Sequence, residues 1–204
     1  GERHMKQASN AKTAPDPIIR FQRWFADARR KGAPQPEAMA LASVSETGFP
    51  SVRFVLLKHV DESGFVFFTD GRSRKGHELK TVPHAAATFY WHILGKQVRI
   101  EGRVEQVAAT VADAYWQTRP RASQLSASAS RQSANLADRA VLVERRKNLA
   151  QKYRDKAVPR PSNWTGFRLI PDSIEFWTHR DNRLHQREVF VRTLRGWKSK
   201  LLSP

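Results

Sequence analysis

Val52-Arg-Phe-Val-Leu-Leu-Lys-His-Val60, then Asp61-Glu-Ser-Gly64, then Phe65-Val-Phe-Phe-Thr69 is the stretch whose reading decides the fold. Two runs rich in β-branched and aromatic residues flank a polar turn that ends in glycine, which is the pattern of an antiparallel hairpin. Upstream, 39–44 is a short apolar run that meets a turn at Glu46-Thr47-Gly48. Downstream, 85–93 and 97–107 read as strands about Leu94-Gly95-Lys96, and 166–170, 173–177 and 188–193 complete the set. Helices are fewer. Asp16-Pro17 reads as an N-cap followed by proline at the first helical position, and Ile18, Phe21, Phe25 and Ala28 keep helical spacing over 17–31. A short helix is expected over 72–80, a helix capped by Thr110 through Trp116, a Ser- and Arg-rich loop over 119–133, and a longer helix near 136–154 before Pro159-Arg160-Pro161. Six or more short strands with few helices between them predict a mainly β chain with flanking helices (α+β), its sheet closing into a barrel rather than doubly wound.

Composition narrows the function classes. Hydrophobic residues make up 40% of the 204 and charged residues 27%, an ordinary globular balance. Cysteine is absent, which excludes disulfides, zinc–thiolate sites and cysteine nucleophiles and fits a reducing compartment, so a cytoplasmic location is expected. No apolar run approaches the roughly 20 residues of a membrane span. Residues 1–15 read as a polar flexible tail, with Met5 as the native start, and 16–204 as one domain. The formal net charge is +17. It fits either phosphate neutralisation on nucleic acid or a small phosphorylated ligand with the surplus on solvated helix faces. The basic stretch 139–160 reads as such a solvated helix, and no nucleic-acid motif is present, so the small ligand ranks first.

No GxGxxG, GxxxxGK[ST] or GxSxG occurs, and the histidines lack metal-ligand spacing, so no metal is expected. The positive signals are clustered cations. Ser73-Arg74-Lys75 opens a helix after a strand, where free N–H groups and two cations suit either a phosphate or a solvated turn. Arg53 and Lys58 interrupt an apolar strand, and their separation puts them on opposite faces, so both contact one ligand only if the strand bulges or the ligand wraps its end. Tyr115, Arg119 and Ser123 lie at a helix end and the loop after it; a continuing helix puts the first two on one face, as a phosphate grip or as ordinary capping. Arg183, His185 and Arg187 alternate, so an extended chain projects them together beside Trp177, which favours a ring-bearing anion over a protected sheet edge.

Taken in order, these stretches resemble the pyridoxamine 5′-phosphate oxidase family. The text that carries the resemblance is Arg53-Phe-Val-Leu-Leu-Lys58, Phe67-Phe-Thr69, Ser73-Arg-Lys75, Gln97-Val-Arg-Ile-Glu-Gly102, Arg119-Pro-Arg-Ala-Ser-Gln124, Arg131-Gln-Ser133, Glu175-Phe-Trp177, Arg183-Leu-His-Gln-Arg187 and Leu201-Leu-Ser-Pro204. The resemblance implies a split β-barrel and a homodimer with flavin mononucleotide (FMN) between subunits. It implies that Arg53, Arg74, Lys75 and Ser133 hold the flavin phosphate and ribityl chain, and that Phe68, Thr69, Gln97, Gln132, Trp177 and Arg187 contact the rest of the flavin. Lys58, Tyr115, Arg119 and Ser123 would grip the substrate phosphate, Lys58 also touching the flavin. Arg183 and His185 would be the catalytic pair over the substrate ring. The implied reaction oxidises pyridoxamine or pyridoxine 5′-phosphate to pyridoxal 5′-phosphate, with O2 as acceptor and H2O2 as product.

The sequence departs from the family pattern in three places. Leu125-Ser-Ala-Ser-Ala-Ser130 stands where a Gly-Ala-Trp-like stretch is usual, Gln186 replaces the usual Asp, and Thr178-His179-Arg180-Asp181-Asn182 replaces a Gly-containing turn. These departures keep open an oxidase of the phenazine-biosynthesis type with another substrate, and the +17 charge keeps open a non-catalytic flavin- or nucleic-acid-binding protein.

Overall fold

The structure is a computed structural model and describes residues 14–204. Most of the expected flexible tail therefore lies outside the described residues, while Ala14 is bridged to Trp197 through its N–H at 2.8 Å.

Helix α1 spans Pro17–Arg30, and the Asp16 carboxylate accepts from the Ile18 N–H as the sequence predicts. Strands β1 (Ala38–Val44), β2 (Pro50–Leu56), β3 (His59–Asp61) and β4 (Gly64–Asp70) follow, then α2 (Arg74–Thr81), β5 (His84–Trp91) and β6 (Lys96–Gln106). Helices α3 (Ala109–Thr118), α4 (Arg121–Ala129) and α5 (Arg139–Lys152) come next, and β7 (Trp164–Thr178), β8 (Gln186–Thr193) and β9 (Gly196–Leu202) close the chain.

The nine strands of the described residues form one antiparallel sheet with the path β2-β1-β5-β6-β7-β4-β3, and β8 and β9 extend from β7. The two ends of that path, β2 and β3, are separated only by Leu57-Lys58, so the sheet curls back on itself. This is the split β-barrel. The single run expected over 52–60 is in fact two strands. The Leu57 N–H donates to Glu37 and the Lys58 N–H donates to Val66, so the chain leaves one neighbour for another at that point.

β7 makes the split. Its 164–169 half pairs with β4, its 173–178 half pairs with β8, and β6 runs along its other edge. The two strands expected on either side of Pro171 are therefore one. Proline has no N–H to give a ladder, and it falls where the β6–β7 register shifts at Glu101/Gly102. A side chain at Gly102 would meet the Ile170 carbonyl at 2.0 Å, so only glycine fits that crossing. β9 has no counterpart in the sequence reading.

α1 closes the barrel with Ile18, Phe21 and Ala28. The Phe21 ring meets Phe65 edge-on at 4.8 Å and Phe89 at 5.0 Å, deep among Met39, Leu41, Ile100 and Leu169. A second cluster of Trp116, Leu125, Val158 and Trp164 seats α3 and α4 against β7. α4 replaces the loop expected over 119–133, because Leu125 and Ala129 are buried and the buried Gln124 amide donates to the Trp116 carbonyl. α3 starts at Ala109 with Ala108 in the capping position, so Thr110 lies inside the helix and caps nothing. The strand expected to reach residue 93 ends at Trp91, and His92–Leu94 is a 3-10 turn closed by Gly95. No helix among the described residues is long and apolar enough to cross a membrane.

Candidate functional site

A cleft of about 360 Å³ opens between β2, β4, α2 and the α3–α4 junction. Its lining brings together Lys58, Phe68, Thr69, Lys75, Tyr115, Arg119, Ser123 and Gln132, eight of the residues singled out in the sequence. An adjoining lobe of about 440 Å³ shares Phe68, Thr69, Arg119, Ser123 and Gln132 and continues along α4 past Ala122, Ser126 and Ala127. The break at Leu57-Lys58 explains how Lys58 reaches the cleft.

The floor of the cleft is a stack of rings. Phe68 lies parallel to Tyr115 at 4.2 Å and to Trp164 at 5.3 Å. A side chain at Gly166 would strike the Phe68 ring at 2.7 Å, so the glycine makes room for it. The sequence reading did not single out Trp164.

Among the described residues three cations and no carboxylate line the cleft, and Asp70 lines the adjoining lobe. Lys75 is 7% exposed; its ammonium donates to Thr69 at 2.9 Å, Ser73 at 3.2 Å and Gln132 at 2.8 Å, all neutral acceptors. Burial, reinforced by Arg53, pushes its pKa down to about 8. Arg119 is the end residue of α3 in an extended conformation, so the continuing helix expected there does not form. It faces the same cleft as Tyr115 nonetheless. Its guanidinium lies 4.8 Å over Trp164, and its buried Nη1 has no hydrogen-bond partner. Burial lowers its pKa. A buried guanidinium nitrogen without a partner is costly unless an acceptor meets it.

Arg53 and Arg74 are committed differently. Buried Glu78, which the sequence reading missed, accepts from Ser43 and Ser51 at 2.6 Å each and from Arg74 at 2.8 Å, and pairs with Arg53 at 3.3 Å. Burial opposes the Glu78 charge, but these hydrogen bonds outweigh it and hold the carboxyl at about 2. The spacing of Arg74 and Glu78, four apart on one helix, was the signal available. Ser133 stands beside them at a left-handed φ of 68°, its hydroxyl accepting from the Arg74 N–H at 3.1 Å. A left-handed φ is uncommon for a serine and costs free energy.

Gln97, Trp177, Arg183, His185 and Arg187 gather elsewhere. Gln97 and Arg187 are both register partners of Trp177, and the His185 ring lies 4.6 Å from the Trp177 ring. The extended alternation expected for Arg183, His185 and Arg187 does not occur. Asp181–Arg183 is a 3-10 turn with Asn182 at φ 55° and Arg183 at φ 62°, and Arg187 turns back to Glu175 at 2.7 Å. His185 Nδ1 accepts from the Arg180 N–H at 3.2 Å, so the neutral ring carries its proton on Nε2. This group is separated from the cleft by eleven residues of β7, since Phe68 pairs with Gly166. At about 3.3 Å per residue that is about 36 Å along the strand.

Fold and cleft together define a split-barrel protein with an anion-receptive, ring-floored site. Residues 25–153 match the family model described as pyridoxamine 5′-phosphate oxidase, and 164–204 match the pyridoxine 5′-phosphate oxidase C-terminal dimerisation region. The chain belongs to the pyridoxamine 5′-phosphate oxidase family. It is 50% identical over 190 residues to the pyridoxine/pyridoxamine 5′-phosphate oxidase of Myxococcus xanthus (strain DK1622), covering 93% of this chain and 92% of that one. It is 49% identical over 197 residues to the enzyme of the same name from Burkholderia cenocepacia (strain HI2424), covering 95% and 92%. Among solved structures, PhzG from Burkholderia lata 383, in complex with tetrahydrophenazine-1-carboxylic acid, superposes with a TM-score of 0.90 at 32% identity over 100% of both chains.

Proposed function

We propose that this chain is an FMN-dependent oxidase that converts pyridoxamine 5′-phosphate and pyridoxine 5′-phosphate to pyridoxal 5′-phosphate, reducing O2 to H2O2. The observation that carries the reading is Arg119: a half-buried guanidinium whose buried Nη1 has no partner among the described residues, sharing a cleft with Lys58, Tyr115 and Ser123. A phosphate monoester supplies the missing acceptors and charge. The relatives near 50% identity support the same substrate class.

FMN fits the residues present. The buried ammonium of Lys75 has only neutral acceptors, and a ring floor adjoins it. Lys75, Arg74, Arg53 and Ser133 would hold the flavin phosphate and ribityl chain, with Phe68, Thr69 and Gln132 beside them. When bound, FMN supplies the hydride acceptor and the reaction with O2. The protein's own work is to grip the substrate phosphate with Lys58, Tyr115, Arg119 and Ser123 and to hold the ring in register. Arg183 would orient the substrate ring, with His185 assisting through its Nε2–H.

The two residue groups cannot meet on one ligand within one chain. A homodimer resolves this, each site taking the cleft of one subunit and the Trp177–Arg187 group of the other. Val52 and Phe54 are strongly exposed on one face of β2 beside the cleft, an apolar face suited to a second copy. In this reading residues 16–204 work as one domain, in the cytoplasm.

A second reading has a specific motive. The PhzG likeness and the small residues Ser126 and Ala127 along the cleft suit a broader, tricyclic acid. Flavin-loaded protein should consume O2 and release H2O2 with pyridoxine 5′-phosphate or pyridoxamine 5′-phosphate. No turnover with either, together with turnover of a reduced phenazine carboxylic acid, would replace the first reading by the second.

A further inference from the structure

Two of the departures from the family pattern touch one another in the turn between β7 and β8. Arg180 stands where a Gly-containing turn is usual, and Gln186 replaces the usual Asp. The Arg180 guanidinium spans the turn: Nη1 donates to the His179 carbonyl at 3.0 Å, and Nη2 donates to the Gln186 side-chain oxygen at 3.2 Å. Its backbone N–H donates to His185 Nδ1 at 3.2 Å. One residue therefore contacts both ends of the turn and the imidazole within it.

The turn needs such a contact. Asn182 and Arg183 both hold left-handed φ, and two consecutive non-glycine residues in that region persist only where their surroundings hold them. Every residue from His179 to Leu184 is exposed, so core packing does not supply the restraint. Within the turn the backbone supplies one bond, from the Leu184 N–H to the Asp181 carbonyl at 3.2 Å, and the Arg180 side chain supplies two more. The His179 N–H donates to the Gly95 carbonyl at 2.7 Å, which ties the start of the turn to the β5–β6 connection. The His179 ring lies 5.2 Å from the His185 ring and 6.2 Å from Trp177, so the three rings meet mutually.

We propose that Arg180 is a positioning residue: it staples residues 179–186 so that Arg183 and the Nε2–H form of His185 are presented in one fixed arrangement. A backbone N–H can only donate, so a ring held on it must offer a bare Nδ1 and keep its proton on Nε2. Such a staple matters more to a reaction than to the fold. Hydrogen bonds on a solvated surface add little to stability, whereas a reacting group displaced by about 1 Å can cost about 100-fold in rate. The functional half of this inference rests on the oxidase reading, in which Arg183 and His185 meet the substrate ring; the structural half does not.

The test uses flavin-loaded full-length protein with isotope-labelled histidine, compared with Arg180→Ala, Gln186→Ala, the double variant and Gln186→Glu. At about pH 8.5 an imidazole of ordinary pKa near 6.5 is neutral, and nitrogen NMR shifts tell a protonated ring nitrogen from a bare one. His185→Asn identifies the His185 signals by their loss. The parent should show a protonated Nε2 and a bare Nδ1, and Arg180→Ala should show both nitrogens averaged between tautomers. With pyridoxine 5′-phosphate, Arg180→Ala should lower kcat about tenfold. KM should change less than threefold, because the phosphate grip lies in the cleft, and flavin affinity less than twofold. The double variant should lose no more than the larger single loss, since the two side chains share one bond. Gln186→Glu keeps the acceptor and should stay within twofold of the parent. The thermal midpoints should agree within about 2 °C. The staple is overturned by an Nδ1–H form in the parent, by unaltered His185 shifts in Arg180→Ala, by additive losses in the double variant, or by Gln186→Glu falling as far as Gln186→Ala. The shifts are read without turnover. A parent inactive on the substrate, with shifts that respond as expected, would overturn the oxidase reading and uphold the staple; normal turnover with unaltered shifts would do the reverse.

Discussion

The cleft and the Trp177–Arg187 group both gather arginines and aromatic rings, yet they are finished to different degrees. In the cleft, Lys75 is buried and Arg119 half-buried, and the one carboxylate near them among the described residues, Asp70, makes no hydrogen bond to either, so their positive charge is held ready at a cost in folding free energy. In the Trp177–Arg187 group, Arg187 is already paired with Glu175, and Arg183 is exposed on a turn with two left-handed residues. One region is pre-organised within the chain; the other is fixed in backbone but open in side chain, as suits a group completed by a neighbour.

The largest effect should come from removing what organises the cleft. Glu78→Ala leaves Arg53 without its carboxylate partner and should cost about 3–5 kcal/mol of stability in denaturant unfolding. The Glu78 pKa is depressed, so its contribution is present above the ordinary carboxylate range near 4.5 and is lost as pH falls toward about 2. A variant as stable as the parent would mean that the cleft is not organised through Glu78.

Arg119→Ala comes next: kcat/KM for pyridoxine 5′-phosphate should fall about 100-fold, as for loss of a charged hydrogen bond, with flavin content unchanged. Arg183→Ala should likewise lower turnover more than flavin affinity. Lys75→Met should do the reverse, weakening flavin binding about 30-fold while raising the thermal midpoint at pH 7, since a buried charge is removed. The pH dependence separates the two effects of Lys75. Its folded pKa near 8 lies below the ordinary 10.5, so apoprotein stability should rise as pH climbs from 8 toward 10.5, whereas flavin affinity should fall through about 8. Opposite trends in calorimetry and flavin titration are expected; parallel trends would remove Lys75 from the anion site.

The smallest effect is the sharpest test of the comparison. Mixing unfolded and refolded Arg119→Ala and Arg183→Ala subunits should restore about a quarter of wild-type activity, because half the dimers are mixed and each has one intact site. Recovery of none would place both groups in the same chain's site.

Much of this was legible in the sequence. Asp16-Pro17 announced α1, alternating apolar runs announced most strands, and eight of the residues that line the cleft were singled out beforehand, though Trp164 was not. Three features were hidden, each for a physical reason. α4 is rich in serine and alanine with few large apolar residues, and tertiary contacts at Gln124 and Leu125 make it a helix. Pro171 reads as a strand breaker, but it lies at a register shift opposite Gly102, where a missing N–H does no harm. β9 is an outer strand with mostly exposed residues, so its sequence lacks the apolar alternation that marks a strand. The separation of the two residue groups was invisible because motif order along the chain carries no distance.

β7 acts as a measuring rod. Its first half is the wall of the cleft and its second half carries Trp177, so the spacing of the two groups is set by a count of residues rather than by a hinge. Deleting one residue between 172 and 176 would do more than shorten it. Trp177 would rotate to the opposite face of the sheet, and every partner of β8 would slip with it. Loops elsewhere in such a protein are free to drift in length; this strand must keep its count.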